Sequence, residues 1–93
     1  MNQINLGEVY YKTIRAVGTD AAQGFLQNFL RLPINIILPD SEMIWKASEI
    51  KAEYPISYAD CFAAATAMNY HAVILTGDPE FKKLGDIVSV EWI

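Results

Sequence analysis

Two aspartates stand at positions where carboxylate chemistry is expected. Asp60 follows Ser57 by three residues, just inside the start of an alanine-rich helical pattern, and Asp78 lies in the turn after the apolar run 72–75. In an open parallel α/β sheet, functional groups gather at the carboxyl ends of strands and in the loops that follow them. Neighbouring carboxylates repel each other unless a cation neutralises them, so a shared acidic pocket predicts a site for a hard divalent ion.

Both aspartates also fit ordinary structural roles. Asp78 precedes Pro79, the arrangement of an N-cap residue followed by proline at the first helical position. The spacing of Ser57 and Asp60 matches a capping box at the start of a helix. Capping and metal binding are compatible, and the residues taken alone leave both interpretations open.

The first part of the chain predicts two helices. Residues 3–17 have apolar side chains at helical spacing, and Gly18 is suited to end that helix as a left-handed cap. Asp20 and Gln23 form a plausible capping-box pair for the second helix, which stops before Pro33. Its apolar stripe is predicted to belong to the core: Ala22, Phe25, Leu26, Phe29 and Leu30.

The rest of the chain predicts short strands that alternate with helices. A β-branched strand over 34–38 precedes a helix that Asp40 or Ser41 caps and that runs to Ala52. The remaining predicted elements are a helix from Ser57 to Tyr70, a strand over 72–75, a helical turn over 79–84 and a strand over 87–92. This alternation favours a parallel α/β sheet of about three strands, flanked by helices. Three strands are few for four helices, so part of the sheet is expected to be missing.

Composition limits the class of protein. The 93 residues are 53% hydrophobic and 19% charged, which predicts one small globular domain over 1–93. No apolar run approaches the roughly 20 residues that span a bilayer, the start lacks signal-peptide features, and a single cysteine suits a reducing compartment. We therefore predict a cytoplasmic protein without a membrane segment. The net charge of −4 counts against tight nucleic-acid binding, although a bound divalent ion would reverse the local field of a nuclease site.

Three ordered motifs resemble one known family across essentially the whole chain. They are Ile4-Asn5-Leu6-Gly7-Glu8-Val9-Tyr10-Tyr11, the segment from Ile56 to Ala67 around Asp60, and the segment from Ala72 to Phe81 around Asp78; the ending Val88-Ser89-Val90-Glu91-Trp92-Ile93 is similar to the family's last strand. Together they resemble the toxin branch of the PIN-domain family, the VapC-like ribonucleases.

The resemblance implies a metal-dependent endoribonuclease. In that family, four acidic residues hold one or two Mg²⁺ or Mn²⁺ ions and a water that hydrolyses RNA. Three of them correspond to Glu8, Asp60 and Asp78, which are the expected catalytic and metal-binding residues. Thr76 corresponds to a hydroxyl position near the same site, and Glu80 is expected to support the ligands. The implied partners are RNA as substrate and a small VapB-like antitoxin that covers the acidic pocket.

The chain departs from the family at its start. The first acid lies in relatives on an N-terminal strand, in the middle of the sheet, that has no counterpart here. We therefore expect a weakened or inactive site, and a homodimer that covers the exposed strand edges. Alternatively, the chain is a catalytically dead scaffold that dimerises or binds an antitoxin, or the true start lies upstream of Met1. A flavodoxin-like receiver fold is disfavoured, because its paired acids and its lysine have no counterpart in the sequence.

Overall fold

Helices dominate the chain in the computed structural model, which describes all residues 1–93. The four α-helices are α1 (Gln3–Val17), α2 (Thr19–Leu30), α3 (Ser41–Glu53) and α4 (Tyr58–Tyr70). Two strands, β1 (Val73–Thr76) and β2 (Ser89–Trp92), flank a 3₁₀ segment over Pro79–Ile87. The predicted α/β class is confirmed, with a smaller sheet than expected.

Most of the predicted helix ends are confirmed. Asp40 begins α3 by accepting a hydrogen bond from the Met43 N–H at 2.9 Å, and Ser57 begins α4 by accepting one from the Asp60 N–H at 3.2 Å. Gly18 ends α1 with a φ of 86°. That positive angle suits glycine, although the ψ of 166° is extended rather than left-handed helical.

The predicted capping box at the start of α2 is wrong. This helix begins at Thr19 with Gly18 as its N-cap, and no side chain caps it. Gly18 is both the C-cap of α1 and the N-cap of α2. Since Asp20 already lies inside the first turn of α2, its side chain cannot be the N-cap.

Helix α4 lies at the centre of the packing. The alanine-rich sequence predicts a helix pressed against a sheet, but the small side chains of α4 pack mainly against α3. The core combines α4 with the buried face of α3 and with the 3₁₀ segment: Met43, Ala47, Ile50, Ile56, Cys61, Phe62, Ala64, Ala65, Phe81 and Leu84. Helix α1 packs on another side of α4, so the start of α4 lies between two helices.

The apolar stripe of α2 is only partly buried. Ala22 is fully buried and Leu26 and Phe29 are half-buried, whereas Phe25 and Leu30 leave 39% and 56% of their surface exposed. The prediction that this whole stripe belongs to the core is therefore wrong. Periodicity shows that a helix has an apolar face, but it does not show whether another element covers that face.

The sheet has two strands rather than three. β1 and β2 pair in parallel, with Val73 opposite Ser89 and Thr76 opposite Trp92. The predicted strand over 34–38 is wrong, because that segment makes a single parallel bridge between Ile37 and Asn2. Asn2 is also the N-cap of α1, so the chain enters a helix directly after this bridge. No further extended residues are left to continue the pairing with 34–38.

β1 has an open edge and an uncovered face. Its only neighbouring strand is β2. Val73 and Leu75 leave 58% and 67% of their surface exposed, although strands of parallel sheets are normally buried on both faces. No helix of the chain is both long and apolar enough to span a membrane.

Candidate functional site

The three predicted acids come from three different elements. Glu8 lies on α1, Asp60 lies in the first turn of α4, and Asp78 follows the carboxyl end of β1. Glu80 lies two residues beyond Asp78, in the 3₁₀ segment. The negative charges of Asp78, Glu8 and Glu80 each act on the Asp60 carboxyl. The structure thus brings the residues of all three sequence motifs into one region.

Asp60 is the most perturbed carboxyl of this group. Partial burial raises the pKa of Asp60 above its ordinary value, the hydrogen bond with Ser57 lowers it, and the charges of Asp78, Glu8 and Glu80 raise it further. Burial and like charge both disfavour the ionised form. The raised pKa of Asp60 therefore reflects first its partial burial and then the negative charges near it.

This perturbation predicts a pH-dependent gain in stability for Asp60→Asn. Because the folded state holds the Asp60 proton more tightly than the unfolded state, stability falls as the pH rises above the ordinary value of 3.8. At pH 7 the amide should raise Tm, and the gain should vanish below about pH 3, where the carboxyl is protonated in both states. Calorimetry of both proteins from pH 3 to pH 7 measures this difference.

Asp20→Asn is the matched control, since Asp20 is exposed in the first turn of α2. A carboxylate there stabilises the helix end, so its loss should give no gain in Tm at pH 7. A gain for Asp60→Asn that stayed constant with pH would contradict the electrostatic interpretation.

Asp78 has the structural role that its sequence context indicates. Its Oδ1 accepts a hydrogen bond from the Glu80 N–H at 2.9 Å and so caps the 3₁₀ segment. The Thr76 hydroxyl accepts a hydrogen bond from the Asp78 N–H at 3.0 Å, which holds the turn. The Asp78 side chain is exposed, and its second carboxylate oxygen has no hydrogen-bond partner in the chain. The cap therefore leaves an oxygen that can bind a ligand.

Two of the acids have lysine neighbours. Lys12 Nζ lies 3.8 Å from a carboxylate oxygen of Glu8, and Lys83 Nζ lies 3.6 Å from one of Glu80. Both are exposed pairs along a helix, which contribute only a few tenths of a kcal/mol, about 0.3–0.5. A cation could displace these lysines at little cost.

The donor set suits Mg²⁺ or Mn²⁺, but the carboxylates do not form a closed cage. Carboxylate and hydroxyl oxygens are the ligands that these hard ions prefer. No group of three or more His, Cys, Asp or Glu side chains is arranged to hold a metal ion. Since Mg²⁺ can bind through one or two carboxylates and several waters, the donor chemistry of these residues is compatible with such an ion.

Two asparagines that the sequence did not single out hold the site together. Asn5 Nδ2 donates a hydrogen bond to the Ala59 carbonyl at 2.9 Å, which ties α1 to the residue before Asp60. Glu8 lies three residues after Asn5, on the same side of α1. The sequence shows the three-residue spacing of Asn5 and Glu8. It does not show the hydrogen bond of Asn5, because the Ala59 carbonyl lies 54 positions away along the chain.

Asn2 acts one turn earlier. It is 2% exposed, and its Oδ1 accepts a hydrogen bond from the Ile4 N–H while its Nδ2 donates to Met43 Sδ at 2.8 Å and to Thr66 Oγ1 at 3.1 Å. One side chain thus caps α1 and joins it to α3 and α4. This role is visible only in the folded structure, because the three groups that Asn2 contacts lie on α1, α3 and α4.

The chain matches the model of a known protein family. A family model described as "PIN domain" matches residues 1–87, which is nearly the whole chain. No curated protein and no solved structure gives a significant match.

Proposed function

Since the chain belongs to the PIN-domain family, a nuclease family whose members generally depend on divalent metal ions, we propose that it is a metal-dependent endoribonuclease of the VapC-like type. The observation that supports this most directly is the electrostatic coupling of Asp60 to Asp78, Glu8 and Glu80. Asp78 follows the carboxyl end of β1, where α/β proteins bind ligands, and the charges of Glu8 and Glu80 also act on Asp60.

Each residue has a defined role in this proposal. Asp60 and Asp78 hold the ion, and Glu8 either binds it or orients the attacking water. A divalent ion, when bound, lowers the pKa of its water and stabilises the charge that develops on phosphorus. Thr76 fixes the turn that aims Asp78, and Asn5 fixes the start of α4 that aims Asp60.

We propose that the activity is weak. No three of these side chains are arranged to hold one ion, which agrees with a loosely held ion. Fewer protein ligands leave more of the coordination shell to water, so the reacting phosphate is positioned less firmly.

RNA cleavage tests the proposal. The protein is incubated with labelled single-stranded RNA and Mn²⁺, beside an identical reaction with EDTA. Cleavage that requires the metal supports the proposal. Absence of cleavage by a protein that circular dichroism shows to be folded contradicts it.

Asn5→Ala should weaken metal binding more than stability. Losing the Ala59 hydrogen bond costs about 1 kcal/mol, and the better helix propensity of alanine offsets about half of that. Groups that orient metal ligands typically change affinity about 10–100-fold, so we expect at least a tenfold weaker Mn²⁺ affinity by electron paramagnetic resonance titration. Gln3→Ala, an exposed change on the same helix, is the control. Equal Mn²⁺ affinity in the two variants would contradict a positioning role for Asn5.

A second proposal is a catalytically dead scaffold that keeps the fold of the family. The lack of a converging group of three potential ligands favours it. Thermal melts with and without Mn²⁺ distinguish the two proposals. A ribonuclease site that binds Mn²⁺ raises Tm, whereas a dead scaffold shows neither a Tm increase nor RNA cleavage. A Tm increase that disappears in Asp78→Asn would contradict the scaffold.

The partners follow as part of the proposal: a VapB-like antitoxin over the acidic region and a second copy of the chain, in the cytoplasm.

The chain exposes 6223 Å², against about 5,400 Å² for an average folded protein of this mass. The difference between these two surface areas is close to the roughly 800 Å² that one partner buries in a standard interface, which supports a dimer. The exposed Phe25 and Leu30 of α2 are candidates for that surface. Light scattering of the purified protein measures the oligomeric state.

A further inference from the structure

The positive charges of this acidic chain are concentrated beside the acidic region. The net charge is −4, but four of the seven lysines and arginines lie in α1 or in the 3₁₀ segment. These four residues are Lys12, Arg15, Lys82 and Lys83. One lysine of each element pairs with Glu8 or Glu80. The cations therefore flank the carboxylates that act on Asp60.

The other two of these cations lie over aromatic rings. The Arg15 guanidinium carbon lies 4.9 Å from the centre of the Tyr11 ring. Lys82 Nζ lies 5.6 Å from the centre of the Trp92 ring. Both rings are exposed to solvent. Each pair thus presents an aromatic surface next to a positive charge, which is the combination that binds single-stranded nucleic acid.

The pair on α1 shares a helix face with Glu8. Tyr11 follows Glu8 by three residues and Arg15 follows it by seven, which is the spacing of one face of an α-helix. The rise of an α-helix places Arg15 about 10 Å beyond Glu8 along the axis. A nucleic-acid strand that leaves the carboxylates along α1 therefore meets the ring first and the guanidinium next.

The second pair lies at the carboxyl end of the sheet. Trp92 is the register partner of Thr76 in the parallel pair of β1 and β2. Neighbouring strands lie about 4.8 Å apart, and the Thr76 hydroxyl accepts a hydrogen bond from the Asp78 N–H. The strand that carries Trp92 therefore runs directly beside the turn that positions Asp78.

The two pairs lie on opposite sides of β1. On one side, β2 is the neighbouring strand. On the other side lies the amino end of α1, where Asn2 and Thr76 line the same cavity. A nucleic-acid strand that runs from the Trp92 ring to the Tyr11 ring therefore crosses the acidic region.

Bound RNA can replace both cation–π contacts. A base stacked on an aromatic ring is a stronger interaction than an exposed cation over the same ring. The displaced cation can then pair with a neighbouring phosphate. A duplex cannot make these contacts, because its bases stay stacked on one another.

We propose that single-stranded RNA crosses the acidic region with one base stacked on Trp92 and another on Tyr11, while Lys82 and Arg15 contact the adjacent phosphates. This proposal rests on the proposed ribonuclease function, because it takes RNA as the substrate of the acids. It assigns the residues by which a chain of negative net charge holds its substrate and selects single strands.

Fluorescence anisotropy of a short labelled single-stranded RNA tests the two rings. The titration contains EDTA, so that no metal-dependent cleavage occurs. We expect Trp92→Ala and Tyr11→Ala each to weaken binding about tenfold. Trp45→Ala and Tyr70→Ala, which remove exposed rings of α3 and α4, should stay within about twofold of the unmodified protein. No saturable binding, or equal losses in all four variants, would overturn the proposal.

Phenylalanine variants separate stacking from folding. Trp92→Phe and Tyr11→Phe keep an aromatic ring at each position, so we expect affinities within about threefold of the unmodified protein. Losses as large as those of the alanine variants would contradict stacking at these rings.

RNA without bases tests the same contacts from the side of the ligand. An abasic strand of equal length keeps its phosphates but cannot stack, so the unmodified protein should bind it at least about tenfold more weakly than the intact strand. The double variant Trp92→Ala with Tyr11→Ala should distinguish the two strands by less than about threefold. Equal binding of both strands by the unmodified protein would overturn the proposal.

Intrinsic fluorescence reports directly on one ring. The chain has two tryptophans, so Trp45→Phe leaves Trp92 as the only one. We expect single-stranded RNA to quench the fluorescence of this variant saturably, because a base stacks on the indole ring. Unchanged fluorescence at saturating RNA would contradict stacking on Trp92.

Cleavage assays distinguish failure of this proposal from failure of the ribonuclease proposal. RNA binding that needs both rings, without cleavage in Mn²⁺, would contradict the ribonuclease and support the binding surface. Cleavage with an unchanged KM in Trp92→Ala and Tyr11→Ala would support the ribonuclease and overturn the binding surface.

Discussion

Replacing Asp60 and Asp78 together with asparagine should reduce metal-dependent RNA cleavage at least about hundredfold, which corresponds to roughly 2.7 kcal/mol of transition-state stabilisation. The two residues supply the central carboxylates of the proposed site, and neutral amides hold a divalent ion poorly. The free energy of unfolding without metal should not fall by a similar amount, because the substitution also removes the repulsion that raises the pKa of Asp60. Single-turnover cleavage rates and thermal melts measure the two quantities.

The control is a double variant that removes the same charge elsewhere. Asp86→Asn with Glu53→Gln changes two exposed acids outside the site, so it has the same effect on long-range attraction of RNA. Cleavage by this control should stay within about twofold of the original rate. Equal losses in both double variants would show that net charge, rather than a metal site, controls the activity.

Asn2→Ala should destabilise the fold by about 2–3 kcal/mol. The substitution removes the N-cap of α1, worth about 1 kcal/mol, and both donors from the Asn2 amide to Met43 and Thr66. Since the side chain is almost fully buried, no water readily replaces these bonds. Tm should fall by about 10 °C or more, as measured by calorimetry.

Asn2→Ser separates the two contributions of this side chain. Serine keeps a cap acceptor but lacks the amide donors, so we expect it to recover about 1 kcal/mol relative to alanine. Asn69→Ala, at an exposed position of α4, should change stability by less than about 0.5 kcal/mol. An Asn2→Ala protein as stable as the Asn69→Ala control would contradict the role of Asn2 as the link between three helices.

Helices and their ends could be predicted from the sequence because their signals are local. Asp40 and Ser57 cap helices through backbone groups three residues away, so a short stretch of chain contains both partners. The run of alanines likewise indicated close backbone approach by α4, although α3 rather than the sheet is its main neighbour. The three acidic motifs could also be found in this way, whereas the absence of three side chains arranged around one ion could not.

The errors of prediction concern contacts with distant partners. The segment 34–38 has the composition of a strand, but Asn2 leaves the bridge with Ile37 to begin α1, and no longer ladder forms. The α2 stripe has the periodicity of a core helix, but nothing covers Phe25 or Leu30. Strand pairing and burial depend on the partner as much as on the segment itself.

The sequence by itself determined the family and the helices, because both depend on short ordered motifs and on local propensity. Only the tertiary structure decided which groups meet. It brought Asp60 within the field of Asp78, Glu8 and Glu80, tied α1 to Ala59 through Asn5, and placed Trp92 beside Thr76 at the carboxyl end of β1. These features depend on distances between residues that lie far apart along the chain, and such distances are set when α1, α4 and the sheet pack around one core.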